Sequence, residues 1–234
     1  LQGSGAKISR ALELPFLENP SSADEKRIAK YILEWQTQEI SRSEKELFLQ
    51  SKRLADAERT LLSKVTKKAQ NDQRIATDKI SKLKFKLGKL HSTELSESDS
   101  RIFPGQYAPL VVEVKGERLV RPFRYLLRPH GQDPGFDRKF EGCYNARRDS
   151  LEKVFWWKSV FGKNHGILEI KSFWENVKQH DYESRKLQQG EEEKNLILKF
   201  TPQGLDKMIV PCVYDRNVLG EFPLDSFALS TYEP

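Results

Sequence analysis

Cysteine is scarce in this sequence. Its 234 residues hold only Cys143 and Cys212, each among apolar or aromatic neighbours and with no CxxC pair. That excludes a disulfide framework and points to a reducing compartment. Histidine is nearly as rare, and His91, His130, His165 and His180 lie in polar, loop or strand contexts that suit ordinary surface or strand histidines. There is no Cys/His cluster at zinc spacing, no HExxH and no Ser-His-Asp arrangement, so neither a metal nor any other cofactor is expected. No run of about 18 apolar residues occurs, and Leu1-Gln2-Gly3-Ser4-Gly5 reads as neither signal peptide nor membrane anchor. The expectation is a soluble, cytoplasmic protein. The chain begins without Met and stops within a phrase at Pro234, and residues are expected to be missing at both ends.

Proline and glycine are absent from Ser21 to Leu87, an interval far longer than an ordinary globular helix. Ser21-Ser22-Ala23-Asp24 supplies a helix start, so Ala23 to Leu90 is predicted to be one long helix or a helical hairpin. Ile40, Leu47, Leu54 and Leu61 recur every seven residues, Lys68 breaks the series and Ile75 resumes it. Ile80, Leu83, Leu87 and Leu90 add a later stripe. The polar stretch Thr66 to Arg74 is the expected bend, although without a turn residue a continuous rod competes with it. The stripe is expected to pack on the return helix or on the rest of the chain, with a coiled-coil protein partner or self-association as the alternative.

Charge of one sign does not dominate. Forty Lys and Arg against 34 Asp and Glu give a formal charge of +6, which favours a polyanionic partner without demanding one. From Arg101 the pattern changes to short apolar runs bounded by Pro, Gly and polar residues. Strands are predicted over Ala108 to Val114, Arg118 to Leu127, His165 to Lys171, Asn195 to Thr201, Met208 to Tyr214 and Ser226 to Thr231, with Lys115-Gly116 as a hairpin turn. A helix is predicted over Asp149 to Phe161 and an exposed loop over Gln179 to Lys194. The fold class is therefore α+β, with residues 1–22 as the first segment of the globular domain, 23–91 as a helical insertion and 92–234 as the remainder.

Three phrases occur in order: Tyr144-Asn145-Ala146-Arg147-Arg148-Asp149, Phe173-Trp174-Glu175, and Phe227-Ala228-Leu229-Ser230-Thr231-Tyr232-Glu233-Pro234. Together they resemble the signature of the SOS response-associated peptidase (SRAP) family from roughly Ile102 onward. Arg53-Leu54-Ala55-Asp56-Ala57-Glu58-Arg59-Thr60-Leu61 is similar to a phrase in a branch of that family with a long helical insertion. The resemblance implies a mixed, barrel-like sheet and a DNA-associated protein of bacterial or phage origin. It also implies an activity: sensing abasic sites in single-stranded DNA and crosslinking to them through an N-terminal cysteine. In the family, autocatalytic removal of the initiator Met exposes that cysteine, and its amine and thiol condense with the ring-opened sugar aldehyde to form a thiazolidine. Here Leu1 stands at the start, and the sequence stops before the family's catalytic His.

By the same resemblance Asn145 orients an amine or sugar hydroxyl, Glu175 is the acid/base, and Arg147 or Arg148 grips phosphate. Their chemistry is compatible with this: an amide both donates and accepts, a carboxyl in apolar surroundings suits proton donation, and a guanidinium forms bidentate contacts with phosphate oxygens. Without the phrases, Asn145 would read as a turn residue before a helix and Glu175 as a solvent-facing strand residue. Arg124 and Arg128 are expected to widen the basic surface, and Trp156 to stack an unpaired base, with a solvated charge face and a buried aromatic core as the alternatives. The rival functions are a peptidase acting on other proteins, which no motif supports, and a catalytically inactive DNA-binding or scaffold protein that recruits a partner through the helical segment.

Overall fold

The structure, a computed structural model, describes residues 7–219 and 223–232. The stretch without proline or glycine forms two helices, α2 (Ala23–Ser63) and α3 (Lys67–His91), after a short α1 (Arg10–Glu18). A capping box opens α2: the Ser22 hydroxyl accepts from the Glu25 amide at 3.1 Å and the Glu25 carboxylate accepts from the Ser22 amide at 3.0 Å. The chain then turns extended at Lys64, and the Thr66 hydroxyl caps α3 by accepting from the Ala69 amide at 3.2 Å. The bend thus lies at Lys64 to Thr66, at the near edge of the polar stretch where it was expected.

Seam phase explains why a hairpin prevails over a rod. On α2 the seam steps by threes and fours through Ile40, Ser43, Leu47, Gln50, Leu54, Ala57 and Leu61, and on α3 through Ala69, Gln73, Ala76, Ile80, Leu83, Leu87 and Leu90. Eight residues separate Leu61 from Ala69. In a continuous helix that gap would swing Ala69 about 80° away from Leu61 and take the second seam out of line with the first. Reversal brings the two seams face to face. Ion pairs Arg53–Asp72, Glu46–Lys79 and Glu39–Lys86 cross between the helices, and each pair's numbers add to 125, which fixes an antiparallel heptad register. The Ile40/Leu47/Leu54/Leu61 stripe is only half-buried, because the buried centre of the seam on α2 is Ser43, Gln50 and Ala57. Arg10 donates to the carbonyls of Lys89 and Ser92 at the end of α3, and Gln36 donates to Glu13 at 3.2 Å. These contacts explain why the helical unit spans Ser9–Arg101, closing with a 3-10 turn at Glu97–Ser100, rather than 23–91.

The other unit takes β1 (Lys7–Ile8) together with everything from Ile102. Its strands are β2 (Gln106–Val114), β3 (Glu117–Tyr125), β4 (Asn145–Arg147), β5 (His165–Ile170), β6 (Phe173–Lys178), β7 (Asn195–Phe200), β8 (Met208–Asn217) and β9 (Leu224–Thr231). Lys115 and Gly116 both have positive φ, 54° and 84°, as the tight turn between β2 and β3 requires. Order β2-β3-β9-β8-β5, with β5 pairing back onto β2, makes a closed five-stranded barrel. β1 and β4 add parallel to β2 and β9, and β6 and β7 form a separate ribbon. The chain is therefore α+β, with a closed barrel and a long helical segment near its start.

Alternation along the barrel strands separates two apolar clusters. Leu110, Val112, Phe123, Cys212 and Phe227 belong to one, while Val213 and Ala228, one residue on, join Leu127, Phe136, Ala146, Leu151, Trp157 and Val160 in the other. Helices α4 (Gly135–Lys139), α5 (Arg148–Leu151) and α6 (Phe155–Val160) contribute to the second cluster. The helix predicted over Asp149 to Phe161 is therefore two short ones, broken at Glu152 to Val154, and both Leu151 and the Trp157/Val160 pair reach that cluster. The loop predicted over Gln179 to Lys194 begins with a short α7 (Gln179–Tyr182), and Arg185 then clasps Glu183 and Glu191. Among the described residues no helix is long and apolar enough to cross a membrane.

Barrel closure passes through Gly166, which pairs with Val112. A Cβ at Gly166 would lie 2.9 Å from Leu110 Cδ2 and 3.1 Å from the Val111 carbonyl oxygen. Gly166→Ala is expected to destabilise the fold by about 1–3 kcal/mol through overpacking, read as a lowered denaturant midpoint. An unchanged midpoint would mean that the β2–β5 closure is not tight.

Candidate nucleic-acid interface

β9 is flanked by antiparallel β8 on one side and by two parallel strands end to end on the other. β3 pairs with its first half (Arg124 with Ser226, Tyr125 with Phe227) and β4 with its second (Asn145 with Leu229, Arg147 with Thr231). The Leu229 amide donates to the Tyr144 carbonyl at 2.9 Å. Two phrases more than eighty positions apart thus lie side by side. Ala146 is fully buried, so by strand alternation Asn145 and Arg147 turn to the opposite face, where both are exposed. No hydrogen bond engages the Asn145 side-chain amide among the described residues.

Arg148 follows on the same edge. Its guanidinium lies over the Tyr232 ring, 4.9 Å from the centroid, and its Nη1 donates to the Tyr232 hydroxyl at 3.1 Å. Arg147 Nε is 3.4 Å from Asp149 Oδ1. Desolvation alone would raise the Asp149 carboxyl, but the Ser150 hydrogen bond and the Arg147 charge hold it below its ordinary value, so it stays ionised near neutrality. An exposed pair of guanidiniums results, one countered by a carboxylate and one held over an aromatic ring. Asp149 and Tyr232 both stand in the quoted phrases, yet their role as partners of the arginines was not read from the sequence.

Arg124 and Arg128 are not part of this surface. Both form bidentate pairs with Asp137: Arg124 at 2.6 and 3.1 Å, and Arg128 through Nε at 3.0 Å and through Nη2. Their side chains are only 13% and 10% exposed, so the fork geometry that suits phosphate is spent on an internal carboxylate. Trp156 does not present a stacking face either. It packs against Phe136, Phe140 and Trp157, and its Nε1 is shielded from solvent with no hydrogen-bond partner among the described residues. Trp157 and Phe123 are core residues, and Tyr125 stacks on Phe227.

Glu175 lies on the β6–β7 ribbon, opposite Leu198, and is exposed. It shares a ribbon face with Phe173 and Phe200, whose rings stack at 4.5 Å and 8°. Asn145 and Glu175 thus belong to different sheets, and among the described residues no hydrogen bond joins them. The two cysteines are buried; desolvation pushes the Cys143 thiol up to about 11, helped by the Asp137 charge, and the Cys212 thiol up to about 12. Neither supplies a thiolate near neutral pH.

No protein-family model and no curated protein matches this chain. Among solved structures, a crystal structure of a protein from Bacteroides thetaiotaomicron aligns with a TM-score of 0.43 at 14% identity, over 54% of this chain. The match spans 50% of that protein's own length.

Burial alone would raise the Asp137 carboxyl, but hydrogen bonds and charge from Arg128 and Arg124 outweigh it and hold the group below its ordinary 3.8. A depressed folded-state pKa gives stability that is present above the unfolded value and lost as pH falls through the folded one. Asp137→Asn should therefore cost about 3 kcal/mol at neutral pH, and that cost should shrink as the pH falls through the depressed folded-state value below the ordinary carboxyl range. Thermal unfolding followed against pH checks this; parallel curves for the two proteins would show that the Arg124–Asp137–Arg128 group does not stabilise the fold.

Proposed function

We propose that this chain is the DNA-engaging body of an abasic-site sensor of the SRAP kind, which binds single-stranded DNA through the β4–β9 edge. The observation that carries the reading is the parallel register of β4 on β9, which aligns Asn145 to Arg147 with Leu229 to Thr231. With Arg148 over Tyr232, residues from the first and last of the three phrases make one exposed, cationic edge. A phosphate arriving there competes with Asp149 for Arg147 and takes a bidentate contact.

In the proposed reaction the nucleophile is an N-terminal cysteine, exposed by autocatalytic removal of the initiator Met and not contained in these 234 residues. Its α-amine attacks the aldehyde of the ring-opened sugar, one water leaves, and the thiol adds across the resulting C=N bond to close the thiazolidine. The burial of Cys143 and Cys212 supports giving this step to another cysteine. Asn145 would orient the amine or a sugar hydroxyl, and Glu175 would pass the proton. A second reading, a DNA-binding or scaffold protein without chemistry that recruits a partner through the helical segment, is favoured by one observation: Glu175 is exposed on a ribbon apart from Asn145.

Fluorescence anisotropy should find single-stranded DNA preferred over duplex, with affinity falling as salt rises. Arg147→Ala should weaken binding and flatten the salt slope by about 0.7, the value for one single-strand phosphate contact. Asp149→Asn should tighten binding. With a Met-Cys start and the C-terminal His segment supplied, abasic DNA should give an adduct that survives denaturing electrophoresis, and Glu175→Gln should slow its formation. An adduct formed by the 234 residues alone would refute the N-terminal cysteine, and salt-insensitive binding would refute the phosphate grip.

A further inference from the structure

The cations of the helical unit divide into two classes. Lys79, Lys86 and Arg53 are paired across the seam, and Lys82 pairs with Asp78 along α3. Lys64, Lys67, Lys68, Arg74 and Lys84 are exposed and have no ion pair among the described residues. They start at the hairpin tip and run along α3. From Arg59 to Arg74 there are five cations and one acid, Asp72, which is already held by Arg53. Since the C-terminus of α2 and the N-terminus of α3 meet at the tip, their end dipoles offset, and side-chain charge sets the field there.

We infer that the tip and the outer face of α3 form a second, sequence-independent contact for the phosphodiester backbone of duplex DNA beside a single-stranded segment. This extends the proposed DNA-binding reading to a second surface. Charge complementarity identifies the occupant. Lys67 and Arg74, one heptad apart on the outer face of α3, stand about 10 Å apart along the helix, a reach that covers neighbouring phosphates of a straight duplex, with Lys64 and Lys68 at the tip and Lys84 on the flank. Gln70 and Asn71 are exposed within the row and add amide donors suited to phosphate oxygens. At the tip Leu62 and Val65 are 90% and 71% exposed, apolar surface that can lie against sugars in a groove. An anionic bilayer fits less well: a plane reaches only the tip and leaves Arg74 and Lys84 unused, and no Trp, Tyr or Phe lies between Phe48 and Phe85 to anchor at an interface.

The test compares the 234-residue protein with a Lys64→Glu/Lys67→Glu/Lys68→Glu variant on two probes, a single strand and the same strand joined to a duplex arm. The wild type should bind the junction more tightly than the strand. The variant should lose that increment, at least tenfold at about 100 mM salt, with the salt slope flattened by about 2–3, while its affinity for the strand alone changes little. Circular dichroism should show unchanged helicity, since all three lysines are exposed; a neutral Lys67→Gln/Lys68→Gln variant gives the intermediate loss if helicity falls. No junction increment in the wild type, or an increment untouched by both variants, overturns the inference while leaving the Arg147 site standing. So does capture by phosphatidylserine vesicles that the triple variant abolishes with junction binding intact. Loss of strand binding by Arg147→Ala with the increment preserved keeps the two surfaces distinct.

Discussion

Barrel closure depends on a place where no side chain fits. β2 meets β5 over only two residue pairs, and Gly166 brings its backbone against Leu110 and Val111 there. Once the barrel closes, β9 is fixed between β8 and β3, and β3 covers only the first half of its free side. The uncovered second half accepts β4. The positions of Asn145 and Arg147 beside Thr231, and of Arg148 beneath Tyr232, follow from that sequence of constraints. Arginine chemistry then separates inside from outside: Arg124 and Arg128 find Asp137 in a half-buried site and are consumed by it. Arg147 meets the exposed Asp149 carboxylate and Arg148 the exposed Tyr232 phenol, surface partners that an incoming phosphate can displace.

Different physics holds the helical unit. Ser43, Gln50, Ala57, Ala69 and Ala76 in its seam are small or polar, so close approach and register, more than bulk apolar burial, define the hairpin. The Gln50 Oε1 is buried with no hydrogen-bond partner among the described residues, a cost that a leucine seam would not carry. Surface ion pairs contribute little individually, but three of them at heptad spacing disfavour a slipped alignment. Cations left over from the seam collect toward the tip and give the hairpin a charged end.

Much of this architecture was legible in the sequence because periodicity is a local signal. Missing proline and glycine marked the helices, Ser22 marked their start, and alternating apolar runs marked β2, β3, β5, β7, β8 and β9. What could not be read depends on distant partners. β4 is three residues long, too short for any period, and exists because β9 offers it an edge. Arg124 and Arg128 looked like surface cations because nothing local marks Asp137 as their shared counterion. Trp156 looked available because its aromatic neighbours Phe136 and Phe140 come from α4 and its end, a helix the pattern did not reveal. The bend was placed a few residues late since composition marks a polar stretch, whereas seam phase, from Leu61 to Ala69, locates the reversal.

The β4–β9 edge as the single-strand contact is the central claim, and hydrogen exchange of the 234-residue protein with and without single-stranded DNA tests it most directly. Protection should rise together in two segments, residues 144–149 and 227–232, because one ligand spans strands that pair in register. Protection of only one of them, or of neither while the strand is bound, would contradict the account.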